Sequence, residues 1–151
     1  DDRLMTYESL SDGGFATGSM LGSGGFIVYN DTSCIVRNTW NFSRFYHHES
    51  CGQCSPCREG TGWMEKVLHR IENGQGREED IDLLWSIQSK IEGNTICPLG
   101  DAAAWPVAAA IRHFRDEFEY HIRFPEKIKN RNHFVEEPFE KVKHLVGIQK
   151  V

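Results

Sequence analysis

Apolar residues recur every three or four positions from about residue 38 to residue 123, which is the spacing of one helix face. Glycine and asparagine clusters interrupt the repeat, so the pattern predicts four amphipathic helices joined by short loops. We expect Thr61 to cap the second helix and Asp101 to cap the fourth, with Pro106 near the first turn of the fourth. The positions that carry the repeat are Trp40, Phe42, Phe45 and Tyr46; Trp63, Met64, Val67, Leu68 and Ile71; Ile81, Leu84, Ile87 and Ile91; and Val107, Ile111, Phe114, Phe118 and Ile122.

The two flanking segments lack this periodicity. Residues 1–25 are rich in glycine, and Phe26–Tyr29 after them predicts a strand with a turn at Asn30-Asp31. A phosphate-binding loop is disfavoured there because no Gly-Lys-Ser/Thr follows the glycines. Residues 124–151 fit either a solvated extension or an arm that lies along a partner surface. The chain is therefore predicted to be mainly α, a four-helix bundle preceded by a glycine-rich loop and a strand.

Composition and charge disfavour some classes of function. The chain has 151 residues and a net charge of -5, without the basic stripe of a nucleic-acid binder. No apolar run reaches the eighteen residues of a membrane span, so no direct membrane insertion is expected. The chain begins at Asp1 without methionine, which suggests a processed product, a deliberately shortened chain or part of a longer polypeptide.

The five cysteines carry the strongest chemical signal. Three of them form a C-x2-C-x2-C run at Cys51, Cys54 and Cys57, and Cys97 follows forty residues later. An odd count with this crowding is a poor disulfide framework and indicates a metal centre in a reducing compartment. Three cysteines spaced three residues apart favour a [4Fe–4S] cluster over structural zinc, which is usually bound by two separated pairs of ligands. Zinc and free thiols remain open, and Cys34 is expected to be a small buried hydrophobe rather than a ligand.

The neighbours of the cysteines fit a cluster. Gly52 and Pro56 suit a backbone that turns tightly around inorganic sulfide. Both cysteine-bearing loops precede predicted helices, whose N-termini would direct amide groups at an anionic cluster. His47 and His48 are alternative ligands, although surface roles are commoner for such histidines. Arg58, next to the third cysteine, is expected either to offset cluster charge or to be an ordinary exposed arginine.

The segments Glu49–Trp63, Ile96–Pro106 and Ile111–Glu119, together with Gly22–Gly25 and His69–Ile71, make the chain resemble a known family. It is similar to the C-terminal part of the NADH-binding, flavin-bearing subunit of respiratory complex I, the NADH:quinone oxidoreductase. The similarity extends from about residue 4 to about residue 123. It covers roughly the last third of such a protein.

The resemblance implies a site and a domain plan. It makes Cys51, Cys54, Cys57 and Cys97 the ligands of a [4Fe–4S] cluster that links reduced FMN to the acceptors leading to quinone. It also places Pro98 and Leu99 beside the flavin, although the family commonly has a smaller residue than Pro98. Residues 1–37 would end a β-grasp-like domain and 38–123 would form the helical cluster domain. Residues 124–151 would be a C-terminal extension or partner-binding tail.

The resemblance also implies a larger assembly. The FMN and NADH sites belong mostly to an N-terminal Rossmann-like domain, so this chain alone is not expected to oxidise NADH. Its expected partners are that domain and the adjacent iron–sulfur subunits of complex I. The expected location is peripheral, on the cytoplasmic side of a bacterial inner membrane or the matrix side in mitochondria. Alternatives are the diaphorase subunit of an NAD-reducing hydrogenase or formate dehydrogenase, and a zinc-stabilised interaction domain.

Overall fold

The fold is mainly α, as predicted, and the computed structural model describes residues 27–30 and 32–129. The chain divides into two compact units, Asp1–Asn30 and Asp31–Val151, and every described helix belongs to the second. Helix α1 packs against α2 and α4, and α3 packs against the same two helices. The helices are α1 (Ile35–Glu49), α2 (Ser55–Glu72), α3 (Glu79–Ile91), α4 (Leu99–Arg123) and α5 (Pro125–Lys129).

One apolar core holds the four long helices together. The predicted apolar positions of α2 and α3 are largely buried, and α4 adds alanines and Phe118. Each fully buried Leu, Ile or Met side chain stabilises the fold by about 1.5–3 kcal/mol relative to exposure. None of the four predicted ligand cysteines belongs to this core, whose members include Met64, Leu68, Ile71, Ile81, Leu84, Ile91, Ala103, Ala104, Val107, Ile111 and Phe118.

The buried face of α1 differs from the aromatic face that the sequence predicts. Its fully buried residues are Val36, Thr39 and Ser43, whereas Phe45 is exposed. The rings of Trp40 and Tyr46 are only partly buried and pack against the core from the side. Trp40 packs there against His69 of α2, with ring centroids 5.3 Å apart.

Two helices begin earlier than the sequence predicts. Helix α2 begins at Ser55, and Thr61 lies buried within it, donating a hydrogen bond to the Cys57 carbonyl at 2.7 Å. Pro56 in the first turn is pre-organised for a helix start. Helix α4 begins at Leu99, so Asp101 lies in its first turn and does not cap it, and Pro106 lies farther inside the helix than expected.

The predicted strand is wrong for the part of it that the structure describes. Residues 27–29 have no regular secondary structure and their side chains are exposed, and no described segment pairs with them. The glycine-rich residues 1–25, Phe26 and Asp31 lie outside the described residues. The predicted domain boundaries after residues 37 and 123 remain predictions.

The region after residue 123 begins with more order than the sequence suggests. Helix α5 starts at Pro125, whose fixed φ favours a first helical position. Ile128 is buried against Tyr120 of α4, with Phe124 packed beside them. Residues 130–151 lie outside the described part of the chain.

Candidate metal centre

The four predicted ligand cysteines, from two distant segments, line the same small cavity. Its volume is about 150 Å³, and Cys51, Cys54 and Cys57 meet Cys97 around it. Cys51 and Cys54 lie in the connection from α1 to α2, Cys57 lies in the first turn of α2, and Cys97 precedes α4 by two residues. The remaining lining residues are Glu49, Ser50, Gln53, Thr95 and Leu99.

The loop that carries Cys51 and Cys54 has a defined shape. Gly52 has φ of 76°, in the left-handed region that only glycine adopts without strain. The Arg58 guanidinium reaches back from α2, donating to the Gly52 carbonyl at 2.9 Å and to Ser55 Oγ at 3.3 Å. Arg58 therefore holds the loop against the helix, in addition to placing a positive charge next to it.

Hydrogen bonds reach two of the sulfur atoms. The Ile96 N–H donates to Cys54 Sγ at 3.4 Å, and Ser50 Oγ lies 3.2 Å from Cys57 Sγ. Cys54 is the N-cap of α2, and the first turn of α2 holds no acidic residue. The free N–H groups and positive dipole end of α2 therefore favour negative charge in the cavity.

The loop that carries Cys97 is held from both sides. Thr95 Oγ1 donates to the Cys97 carbonyl at 3.0 Å, and Asp101 Oδ1 accepts from the Gly93 N–H at 2.7 Å. Gly100 in the first turn of α4 lies directly against Thr95, where a Cβ would come within 2.6 Å of Cγ2 and 2.9 Å of Cβ. This close approach fixes the position of Cys97 relative to α4.

The four cavity cysteines offer a donor set that suits a metal centre. All four thiols are free of disulfides. Cys₄ ligation is usual for a [4Fe–4S] cluster and also occurs in structural zinc sites. The C-x2-C-x2-C spacing of three of the cysteines favours the cluster.

Of the other predicted site residues, some line the cavity and others do not. Leu99 lines the cavity, whereas Pro98 is exposed at the start of α4. His47 and His48 do not line it, and their Nδ1 atoms contact Glu65 and Glu49, respectively. Sequence reasoning missed Ser50 and Thr95, for which proximity to a cysteine was the only available signal.

Comparison with known proteins identifies a family. Residues 37–121 match the family described as NADH-ubiquinone oxidoreductase-F iron-sulfur binding region. An F-type subunit of the NADH-quinone oxidoreductase of Rhizobium meliloti is 47% identical over 121 residues, covering 80% of this chain and 27% of that protein. The mitochondrial NADH-ubiquinone oxidoreductase 51 kDa subunit of Neurospora crassa is 48% identical over 123 residues. That match covers 82% of this chain and 24% of that protein.

A solved structure has a similar fold. An NAD+-reducing [NiFe]-hydrogenase in the air-oxidized state matches with a TM-score of 0.60 and 33% identity, over 63% of this chain and 17% of that one. The chain spans 24–27% of the length of the curated relatives named above. The family model covers more than half of the chain and includes all four cavity cysteines, so the chain belongs to the NADH-ubiquinone oxidoreductase-F iron-sulfur binding region family.

Proposed function

We propose that the chain serves electron transfer between NADH-reduced FMN and the acceptors leading to quinone, within the NADH dehydrogenase module of complex I. It would do so through a [4Fe–4S] cluster ligated by Cys51, Cys54, Cys57 and Cys97. The observation that carries the proposal is the single cavity that these four cysteines line. A bound cluster supplies one-electron chemistry, and the two-electron step with NADH belongs to the flavin.

The surrounding residues would set the properties of the cluster. With thiolate ligands, the Ser50 hydroxyl is the donor in its contact with Cys57, and the Ile96 amide donates to Cys54. Hydrogen bonds to sulfur, the dipole of α2 and burial are the means by which a protein tunes cluster potential. No residue of the cavity has to transfer a proton.

Metal and sulfide analysis of the anaerobically purified full chain tests the proposal. We expect about four irons and four acid-labile sulfides per chain, the content of a [4Fe–4S] cluster. One zinc in the cavity and no sulfide would instead establish the zinc-stabilised interaction domain. Cys97→Ser should lose or degrade the cluster, and Cys34→Ser is the matched control that should keep it. Equal damage from both variants would refute the ligand set.

The flavin contact is proposed for the complete subunit. Pro98 is exposed and Leu99 borders the cavity, so both are available to a cofactor carried by a neighbouring domain. In the complete subunit, Leu99→Ala should change FMN fluorescence or its midpoint potential while the iron content stays constant. The 151-residue chain alone should not oxidise NADH. Tight FMN binding with unaided NADH oxidation would contradict this division of roles.

A second assembly is supported by one observation, the similarity to the NAD+-reducing [NiFe]-hydrogenase. The same electron-transfer role would then belong to the diaphorase subunit of a hydrogenase or formate dehydrogenase. The higher identity to the quinone oxidoreductase proteins favours complex I. Affinity purification from the native source separates the two, because the co-purifying subunits would be either complex I iron–sulfur subunits or hydrogenase subunits.

The proposed location follows from the proposed assembly. No described helix is both long enough and apolar enough to cross a bilayer. We place the chain at the membrane periphery, on the cytoplasmic side of a bacterial inner membrane or on the matrix side in mitochondria. Fractionation should recover it with membranes only while its partner subunits are present.

A further inference from the structure

A second group of metal-ligating side chains lies apart from the four-cysteine cavity. Cys34, Glu72 and His121 place one sulfur, one oxygen and one nitrogen atom within 4.8 Å of one another. They come from three elements, because Cys34 is the N-cap of α1, Glu72 ends α2, and His121 lies in the last turn of α4. We propose that Cys34, Glu72 and His121 bind a zinc ion, with a water as fourth ligand.

The distances suit tetrahedral zinc. Cys34 Sγ lies 3.3 Å from His121 Nε2, and His121 Nε2 lies 3.6 Å from Glu72 Oε2. Ordinary Zn–S, Zn–N and Zn–O bonds at tetrahedral angles require separations of about 3.6 Å and about 3.4 Å for these pairs. The distance from His121 Nε2 to each of its two partners therefore differs from the required value by only a few tenths of an ångström, and Cys34 Sγ lies within 4.8 Å of a Glu72 carboxylate oxygen.

The histidine already has the orientation of a zinc ligand. His121 is 3% exposed, and its Nδ1 lies 2.9 Å from the Glu117 carbonyl. A carbonyl only accepts, so Nδ1 carries the proton and Nε2 presents its lone pair to Cys34 and Glu72. Metal-binding histidines are usually held in this way, with the other ring nitrogen donating to a carbonyl or carboxylate.

The charge balance also favours a divalent cation. A Cys34 thiolate and a Glu72 carboxylate together neutralise Zn²⁺, and the imidazole is neutral. Burial raises the pKa of the neighbouring Glu117 carboxyl, which disfavours a further negative charge there. Without a metal, burial and the neighbouring Glu117 and Glu72 carboxylates raise the pKa of the Cys34 thiol. A bound cation reverses this effect, and zinc binding would release the thiol proton. Arg37, which lies 3.5 Å from Glu72 Oε1, would stay bonded to the oxygen that does not face the site.

The test uses the full chain with its cluster loaded, so that added zinc does not enter the four-cysteine cavity. Zn²⁺ is added, excess is removed with a weak chelator, and zinc, iron and sulfide are counted. We expect about one zinc per chain in the parent. Cys34→Ser and Glu72→Gln should weaken zinc binding by more than the roughly 10–100-fold that loss of an outer partner causes. Glu65→Gln, on the same helix as Glu72, should bind like the parent.

A second measurement does not depend on the variants. Zinc-edge X-ray absorption of the parent should show one sulfur and three nitrogen or oxygen neighbours. Four sulfur neighbours would show that the zinc occupies the other cavity and would overturn the proposal. Failure of the parent to retain zinc, or equal retention by Cys34→Ser and Glu72→Gln, would also overturn it. Iron and sulfide counts report on the cluster separately, so the two sites are judged independently.

Discussion

Gly100 determines how closely the loop that carries Cys97 can approach α4. A Cβ at this position would overlap the Cβ and both γ atoms of Thr95, so a rotamer change of Thr95 cannot relieve the overlap. We expect Gly100→Ala to lower the free energy of unfolding by about 1–3 kcal/mol, the usual cost of overpacking. It should also reduce iron retention, because Thr95 holds the Cys97 carbonyl.

Denaturant unfolding and iron content measure this effect. Gly62→Ala is the matched control, since Gly62 lies in a helix and the three atoms nearest to its added Cβ would all belong to the imidazole of the exposed His47, the closest at 3.0 Å. That variant should be close to neutral. Equal loss in both variants would contradict a specific role for Gly100.

The Ser50 hydroxyl is predicted to affect the midpoint potential of the proposed cluster. Among the residues with described structure, its hydroxyl is the only side-chain donor within hydrogen-bond distance of Cys57 Sγ, at 3.2 Å. A donor to a ligand sulfur stabilises the more negative, reduced cluster. Ser50→Ala should therefore lower the midpoint potential in a redox titration followed by EPR. Ser89→Ala, whose hydroxyl donates to the Ser86 carbonyl of its own helix, should leave it unchanged.

At the level of the helices, an ion pair ties α2 to α3. The Arg70 guanidinium binds both carboxylate oxygens of Asp80, which is 1% exposed, and the Arg77 N–H also donates to Asp80. The hydrogen bonds to Asp80 raise the pKa of Arg70. Removing one partner of a buried pair costs about 3–5 kcal/mol, and the partial exposure of Arg70 places this pair near the lower end.

Asp80→Asn should therefore lower the midpoint of denaturant unfolding markedly. Asp82→Asn on the same helix is the control, because its pair with Arg115 is exposed and is worth about 0–1 kcal/mol. A similar small loss from both substitutions would show that the Arg70 contact adds nothing to stability.

The sequence predicts the existence of the helices better than it predicts the residues at which they begin. Apolar residues spaced three and four positions apart indicate that one face of a helix is buried. Helices α2 and α3 follow this pattern. The starts of α2 and α4 were missed because Cys54 and Pro98 precede them without a side-chain capping bond, so no capping residue marks the position. The strand at Phe26–Tyr29 was predicted from β-branched and aromatic content, which does not reveal whether a pairing partner exists.

For the molecule as a whole, the four cavity cysteines lie outside the main apolar core. The core residues come from all four long helices and include none of the four cavity cysteines. Removal of the cluster should therefore leave most of the far-UV helical signal, with a lower melting temperature because the two cysteine loops are no longer joined. This differs from zinc fingers, which unfold without metal. Loss of the helical signal on cluster removal would contradict the prediction.

The grouping of Cys51, Cys54 and Cys57 could be predicted from spacing, whereas the contact between Cys34 and His121 could not. Cys51, Cys54 and Cys57 are identifiable by their separation of three residues. Cys34 and His121 are 87 positions apart and come together only through the packing of α1 against α4. Long-range pairs of this kind carry no periodicity that a single sequence reveals.

The uneven exposure of the four cysteines bears on how long a cluster would survive in air. Cys57 is 7% exposed, whereas Cys51 and Cys97 are open to solvent. Oxidants attack accessible sulfur first, so damage would begin at the outer ligands and leave Cys57 until last. The half-life of the cluster in aerated buffer would then depend on what covers Cys51 and Cys97. A partner that covers this face would protect the cluster as well as exchange electrons with it.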